Sequence, residues 1–419
     1  MEEVGFSANS FTRSTIAGNK FSPLSLEQAR KASFFLQSFP QYCPTPLVSL
    51  PRLAEKLGLG SILIKDESKR FNLNAFKVLG SAYALGRILA EKLSLDSDKI
   101  NLEALKQAME KQGLPTITFT TATDGNHGRG LAWAATYLGH KAIIYMPAGS
   151  SAARVKNIAA TGAKVIVTDL NYDQTVDLAR REALKHGRML VQDTVSEDHD
   201  QIPLWIMQGY MVMAVEAMDQ LKEFGLTMPS HLLLQCGVGS FPASILSFFN
   251  ELKGSAKPCT AIVEPSRADP FFESAKAGDG TIRTVDGSLD TIMAGLACGV
   301  PNPLAWEIAH QHCHFFFSCP DYIAAYGMRI LANPLPGDPG LVSGESGAVT
   351  CGLLSALCLQ EKFHVLRQKM GLGKDSVVLL FNTEGDTDPQ MYRKILWDGV
   401  FPCLNNNCCT AGIDKTGAK

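Results

Sequence analysis

The sequence predicts an α/β protein of two parallel-rich, helix-covered sheets, with a smaller unit inserted into a larger one. Three observations carry this expectation. The chain has 419 residues, more than one ordinary domain holds. From about residue 78 to 187, short apolar runs alternate with stretches of helical period and short connections. A second alternation, in a different register, runs from Met189 to Phe381. Strands separated by helices of this length imply right-handed crossovers and parallel sheets buried on both faces. The expected units are residues 1–77 with 188–419 for the larger and 78–187 for the smaller.

In chain order, Ser25-Leu26-Glu27-Gln28 has the capping-box form and opens an amphipathic helix bearing Phe34, Phe35 and Phe39, which Pro40 ends. Pro44-Thr45-Pro46-Leu47 must be extended, leading to a helix from Arg52 to Leu57 closed by Gly58. An apolar strand, Ile62 to Glu67, precedes Asn72-Leu73-Asn74-Ala75-Phe76-Lys77, where a loop enters a helix marked by Val78, Ala82, Leu85, Ile88 and Leu89. Strands follow at Thr116–Phe119, Ala142–Met146 and Lys164–Thr168, with helices at His127–Leu138, Ser151–Ala160 and Tyr172–Lys185. The second alternation places strands at Met189–Gln192, His231–Gln235 and Thr260–Glu264, and helices at Pro203–Phe224 and Pro242–Leu252. The long apolar 203–224 helix suits a core or an interface equally. Residues 265–304, rich in Gly, Asp and Pro, read as functional loops. Helices near 305–312, 320–332 and 346–370 precede a last strand, Val377–Phe381, and the polar tail after Phe401 is expected to be loosely held.

Composition narrows the function. Net charge is −2, with 19% charged residues and no basic stripe or acidic block, which argues against nucleic acid and membrane surfaces as partners. No apolar run reaches the roughly 20 residues of a membrane span, and the polar N-terminus lacks the look of a signal segment, so a cytoplasmic location is expected. Eleven cysteines without C-x-x-C spacing read as free buried thiols, with no metal site.

The chemistry-bearing residues cluster at turns. A lysine at a helix start faces the positive end of the macrodipole, which lowers its pKa and suits it to Schiff-base chemistry. A solvated lysine whose stem packs on Phe76 is the plainer reading of Lys77. Thr120-Thr121-Ala122-Thr123-Asp124-Gly125-Asn126-His127-Gly128 lies between strand and helix, where ligands of open parallel sheets bind and helix N–H groups attract anions. Asp124 by itself reads equally as a helix cap. Gly237-Val238-Gly239-Ser240-Phe241 offers backbone amides, a hydroxyl and a helix start to a phosphate, although it lacks the lysine of a Walker loop and the third glycine of the dinucleotide fingerprint. Val342-Ser343-Gly344-Glu345-Ser346-Gly347-Ala348 and Asn382-Thr383-Glu384-Gly385-Asp386-Thr387-Asp388 are two further turns. In the second, Thr383 can face a bound ring, and the acidic residues read as caps or surface.

Taken in order, these turns resemble the tryptophan synthase β-like, fold type II family of pyridoxal phosphate enzymes, over roughly residues 40 to 390. The resemblance implies pyridoxal 5'-phosphate as cofactor, held by the larger unit. Lys77 would hold it covalently, Asn126 would bond its phenolic oxygen, Gly237, Val238, Gly239, Ser240 and Phe241 would cradle its phosphate, and Thr383 would face its ring nitrogen. Glu345 would support its open edge. Ala122, Thr123 and Gly125 lie where relatives bind the substrate carboxylate.

The implied reaction is α,β-elimination of 2,3-diaminopropionate to pyruvate and two ammonia, with serine or threonine dehydration as the rival. Asp124 discriminates: dehydrating relatives carry a small residue or hydroxyl there, whereas a carboxylate suits a β-ammonium or supplies a base on the face opposite Lys77, which would admit both D and L substrates. Asp193 is a second candidate for the β-ammonium, or a strand-end turn residue. A catalytically dead binding subunit would be expected to lose Lys77 or the cradle. The family implies a homodimer.

Overall fold

The structure, a computed structural model, describes residues 3–10, 22–96, 99–193, 201–252 and 257–402. Its strands, in chain order, are β1 (Gly5–Ala8), β2 (Leu47–Ser49), β3 (Ser61–Asp66), β4 (Thr118–Ala122), β5 (Lys141–Met146), β6 (Lys164–Val167), β7 (Met189–Leu190), β8 (His231–Gln235), β9 (Cys259–Pro265), β10 (Phe315–Cys319) and β11 (Val377–Asn382). They form a seven-stranded sheet, β1-β10-β9-β8-β11-β3-β2, and a four-stranded sheet, β6-β5-β4-β7. The pairs within β10-β9-β8-β11-β3 and throughout the small sheet are parallel, and the larger sheet is closed at its edges by antiparallel β1 and β2.

The larger sheet is apolar on both faces, as a helix-covered parallel sheet requires. Ile62, Ile64, Leu233, Val263, Val378 and Leu380 enter one core with the helices Asp321–Ala332 and Glu345–Leu359. Their neighbours along the strands, Leu63, Leu232, Leu234, Ile262, Leu379 and Phe381, enter the other with the helices Leu26–Gln37, Val78–Lys92 and Ser240–Glu251. That second core continues through the helix Asn126–Tyr137 to Phe119, Ile144 and Met146 of the small sheet.

The α/β class holds, and several elements differ from expectation. β10 falls in what read as a connection between two helices: Phe315-Phe316-Phe317 is a continuous apolar run that periodicity cannot assign. Helices at Leu102–Gln112 and Pro270–Ala277 also went unread; the second is a short helix inside an otherwise loop-like composition. The apolar stretch 203–224 is two helices, Gln201–Tyr210 and Val212–Leu221, broken at Met211 and buried within the chain, so it serves the core. β7, read with the larger unit, pairs with β4 of the small sheet. The eight cysteines among the described residues are free. Cys403, Cys408, Cys409 and the expected loose tail lie outside the described residues.

Candidate active site

Four strands of the two parallel sheets, β3, β4, β8 and β11, send their C-terminal loops into one cleft. Lys77 enters it from the loop after β3. Phe71 (φ 49°), Asn72 (φ 58°) and Asn74 (φ 60°) are left-handed in this loop, a conformation that costs a non-glycine residue free energy and needs support from its surroundings. The support is a buried ion network. Arg70 donates to Glu67 and, through both Nη atoms at 2.8 Å, to Glu216, which also pairs with Lys65 at 2.6 Å. On the other side the loop zips to the turn after β11: Gly385 N donates to Asn74 O at 3.0 Å and Phe76 N to Thr383 O at 3.2 Å.

Lys77 occupies the N-cap of the helix Val78–Lys92, and its Nζ donates to Asp193 Oδ2 at 2.8 Å between the rings of Phe76 and Tyr210. The sequence predicts a lysine of depressed pKa. Burial does pull it down, but the neighbouring Asp193 carboxylate more than offsets that, holding it above the ordinary lysine value. Asp193 answers in kind: burial pushes its pKa up, and the Lys77 ammonium brings it down to about 2.

Asp124 lines the same cleft, half-buried, and joins it to a second, open cavity lined by Arg154 and Tyr172. Burial raises its pKa to about 6 against the opposing charges of Arg154 and Lys77, leaving a carboxyl that titrates near neutrality. The expected carboxylate seat is less open than the sequence suggests. Ala122 is absent from the cleft lining, and its N–H donates to Gln192 at 3.1 Å. Thr123 N donates to Tyr145 O, while its hydroxyl accepts from Gly125 N at 3.0 Å and Gly128 N at 3.2 Å. Thr123 lines the cleft, whereas Gly125 does not. The turn thus spends the N–H groups of Ala122, Thr123 and Gly125 on its own fold, leaving the first-turn N–H groups of Asn126 and His127 as the neighbouring anion donors.

The turn after β8 brings Gly237, Val238, Gly239, Ser240 and Phe241 to the cleft. Gly239 is left-handed (φ 98°), and a Cβ there would lie 2.3 Å from Phe271, so only glycine fits. The Ser240 hydroxyl donates to Asp193 O at 2.8 Å, so its proton is committed within the protein. Thr383, after β11, accepts at Oγ1 from Gln235 Nε2 at 2.8 Å. Glu345 is buried outside the cleft lining, its pKa raised to about 7 by burial and by neighbouring Glu384, with Arg154 opposing.

Glu384 is the residue the sequence misplaces. Read as a cap or surface group, it is buried in the cleft, accepting from Asn126 Nδ2 at 2.5 Å and Ser346 N at 3.1 Å. Gly344 makes this possible: a Cβ there would stand 3.1 Å from Glu384 Oε1 and 2.5 Å from Gly385 O. The glycine of the 342–348 turn is the signal that a second loop passes close by.

The residues present fit pyridoxal phosphate. A lysine amine, an amide and a glycine turn converge, and His127 Nδ1, Gln235 Oε1 and Ser346 Oγ are buried in the cleft lining without a protein partner. Residues 39–380 match the family described as pyridoxal-phosphate dependent enzyme, to which this chain belongs. Within it, the chain is 49% identical over 390 residues to diaminopropionate ammonia-lyase of Escherichia coli K12, covering 92% of this chain and 96% of that protein. The holo crystal structure of the Escherichia coli diaminopropionate ammonia lyase superposes with a TM-score of 0.88 at 46% identity, covering 95% of this chain and 98% of that one. Its complex with an aminoacrylate-PLP azomethine reaction intermediate gives 0.86 at 45%, with the same coverage. Among the described residues no helix is long and apolar enough to cross a membrane and no group of side chains suits a metal ion.

Proposed function

We propose that this protein is a pyridoxal phosphate-dependent ammonia-lyase that eliminates ammonia from 2,3-diaminopropionate and releases pyruvate and a second ammonia. The observation that carries the reading is the convergence of Lys77, Asp124 and Asp193 in one cleft with the Gly237–Phe241 turn. When bound, the cofactor would supply the electron sink that acidifies the substrate's α-C–H and drives out the β-amine.

The chain's own residues would do the rest. The Lys77 amine would hold the cofactor, Asn126 its phenolic oxygen, the 237–241 N–H groups its phosphate and Thr383 its ring nitrogen, with Glu345 in support. A neutral Thr383 hydroxyl, unlike a carboxylate, does not favour a protonated ring, so expulsion of the β-group outcompetes racemisation. Asp193, freed once Lys77 is engaged, would pair with the substrate's β-ammonium. Asp124 would take the α-proton from one enantiomer and Lys77 from the other. The substrate carboxylate would sit at Thr123 and the start of the 126–137 helix. A serine or threonine dehydratase needs no anionic partner for a β-hydroxyl, and the two aspartates of the cleft, Asp124 and Asp193, favour the diamine. A cytoplasmic homodimer completes the reading, tested by the protein's mass in solution and by cell fractionation.

The test is absorbance of wild type beside Lys77→Ala, with pyruvate assayed on D- and L-2,3-diaminopropionate and on threonine. A visible band lost in the variant, with pyruvate from the diamine and scarcely any from threonine, is expected. Asp124→Asn should abolish turnover of one enantiomer far more than the other, and equal losses would sink the two-base assignment.

A further inference from the structure

We propose that Glu384 is a positioning residue for the cofactor, orienting the Asn126 amide so that an N–H points at the phenolic oxygen of the bound ring; this rests on the role given to Asn126 above. An asparagine amide has two faces of nearly equal shape, one accepting and one donating, and nothing in its own geometry decides which faces the cleft. Asn126 opens the helix that follows β4, whereas Glu384 lies at the end of β11 in the other sheet. The contact therefore fixes the amide from across the cleft. Glu384 Oε2 accepts from Asn126 Nδ2, Oε1 accepts from Ser346 N at 3.1 Å, and the Thr387 hydroxyl donates to Oε2 at 3.3 Å. Three donors converge on one buried carboxylate, and each of its oxygens is in use.

That arrangement specifies a carboxylate and not merely a polar group. A glutamine of the same size has one accepting oxygen. If it serves the fixed Ser346 backbone N–H, its own amine faces Asn126, and the asparagine must turn its oxygen toward Glu384's position and with it its second N–H away from the ring. With both carboxylate oxygens accepting, no other orientation of Asn126 satisfies both groups, so the donor toward the ring is set before the cofactor arrives.

The experiment titrates pyridoxal phosphate into cofactor-stripped wild type, Glu384→Gln, Asn126→Ala and the double variant, reading the dissociation constant and the position of the visible band. Glu384→Gln is expected to weaken binding about tenfold, the scale of one charge-assisted hydrogen bond. It should also move the band in the same direction as Asn126→Ala. In the Asn126→Ala background the same change should cost less than about twofold, because a residue acting through Asn126 has nothing left to orient. Lys77 still holds the cofactor in every variant, so binding stays measurable. A Glu384→Gln protein that binds and absorbs as wild type, while Asn126→Ala does not, overturns the proposal alone. An equal loss in both backgrounds with an unmoved band makes Glu384 a structural residue and also overturns it. An Asn126→Ala protein indistinguishable from wild type removes the role of Asn126, and the proposal falls with it.

Discussion

The lysine that carries the site is held ready by an acid. The Lys77 and Asp193 charges are each nearly withdrawn from water, and each shifts the other's titration. Asp193 has its pKa depressed from 3.8 to about 2, so its share of stability, about 2 kcal/mol, is full above pH 4 and lost as pH falls through 2. Lys77 has its pKa raised, so its share is full below 10.5 and lost as pH rises beyond. Asp193→Asn should therefore lower urea stability by a constant amount from about pH 5 to 9, and the gap should close toward pH 2. A gap unchanged at pH 2 would show that the pair adds nothing to the fold. Asp124 makes the opposite case, a carboxyl raised to about 6 by burial. For the enantiomer that depends on it, kcat/KM should climb with pH through about 6 and level off above, because only the carboxylate accepts a proton. Asp124→Asn should remove that limb along with the activity.

At the scale of elements, the loop from β3 to Lys77 is kept in an unfavourable shape by its anchors. Glu216 stands at the centre of the Arg70, Lys65 and Glu67 network, and Thr45 N also donates to it at 3.1 Å. Glu216→Gln keeps the volume and leaves two buried cations short of a counter-charge, at an expected cost of about 3–5 kcal/mol read from the urea midpoint. A cost below about 1 kcal/mol would mean that the loop does not lean on the network. The same loop marks what could be read in advance. Lys77, Asn126, the 237–241 turn and Thr383 were singled out because their turns, taken in order, resemble those of the fold type II family; one at a time each reads as an ordinary connection after a strand. The ion network was not, since Arg70 and Glu216 are 146 residues apart and each alone looks like a surface charge. Glu384 failed for the same reason: an acid after a strand reads alike whether it caps a helix or is buried. The internal use of the Ala122 and Thr123 N–H groups depends on Gln192 and Tyr145, which only the pairing of β4 with its neighbours brings close.

For the whole molecule, the decisive feature is that the cleft belongs to both sheets. β3, β8 and β11 of the larger sheet supply Lys77, the glycine turn and Thr383, and β4 of the smaller supplies Asp124 and Asn126. A ligand bound only to the folded protein stabilises it by mass action, and one that touches both sheets must tie their loops into one cooperative unit. Pyridoxal phosphate should therefore slow amide hydrogen exchange at residues 123–128 and at 383–387 together, with the same midpoint in cofactor concentration. The 123–128 turn is the sharper witness, because it follows a strand of the smaller sheet and meets the turn after β11 through Asn126 and Glu384. Lys77→Ala should shift both midpoints to higher cofactor concentration equally, since the lost bond serves the shared ligand and not one loop. Protection that appears at 383–387 while 123–128 exchanges as before would mean that the cofactor is held by the larger sheet alone, and that the smaller sheet meets the site only when substrate arrives.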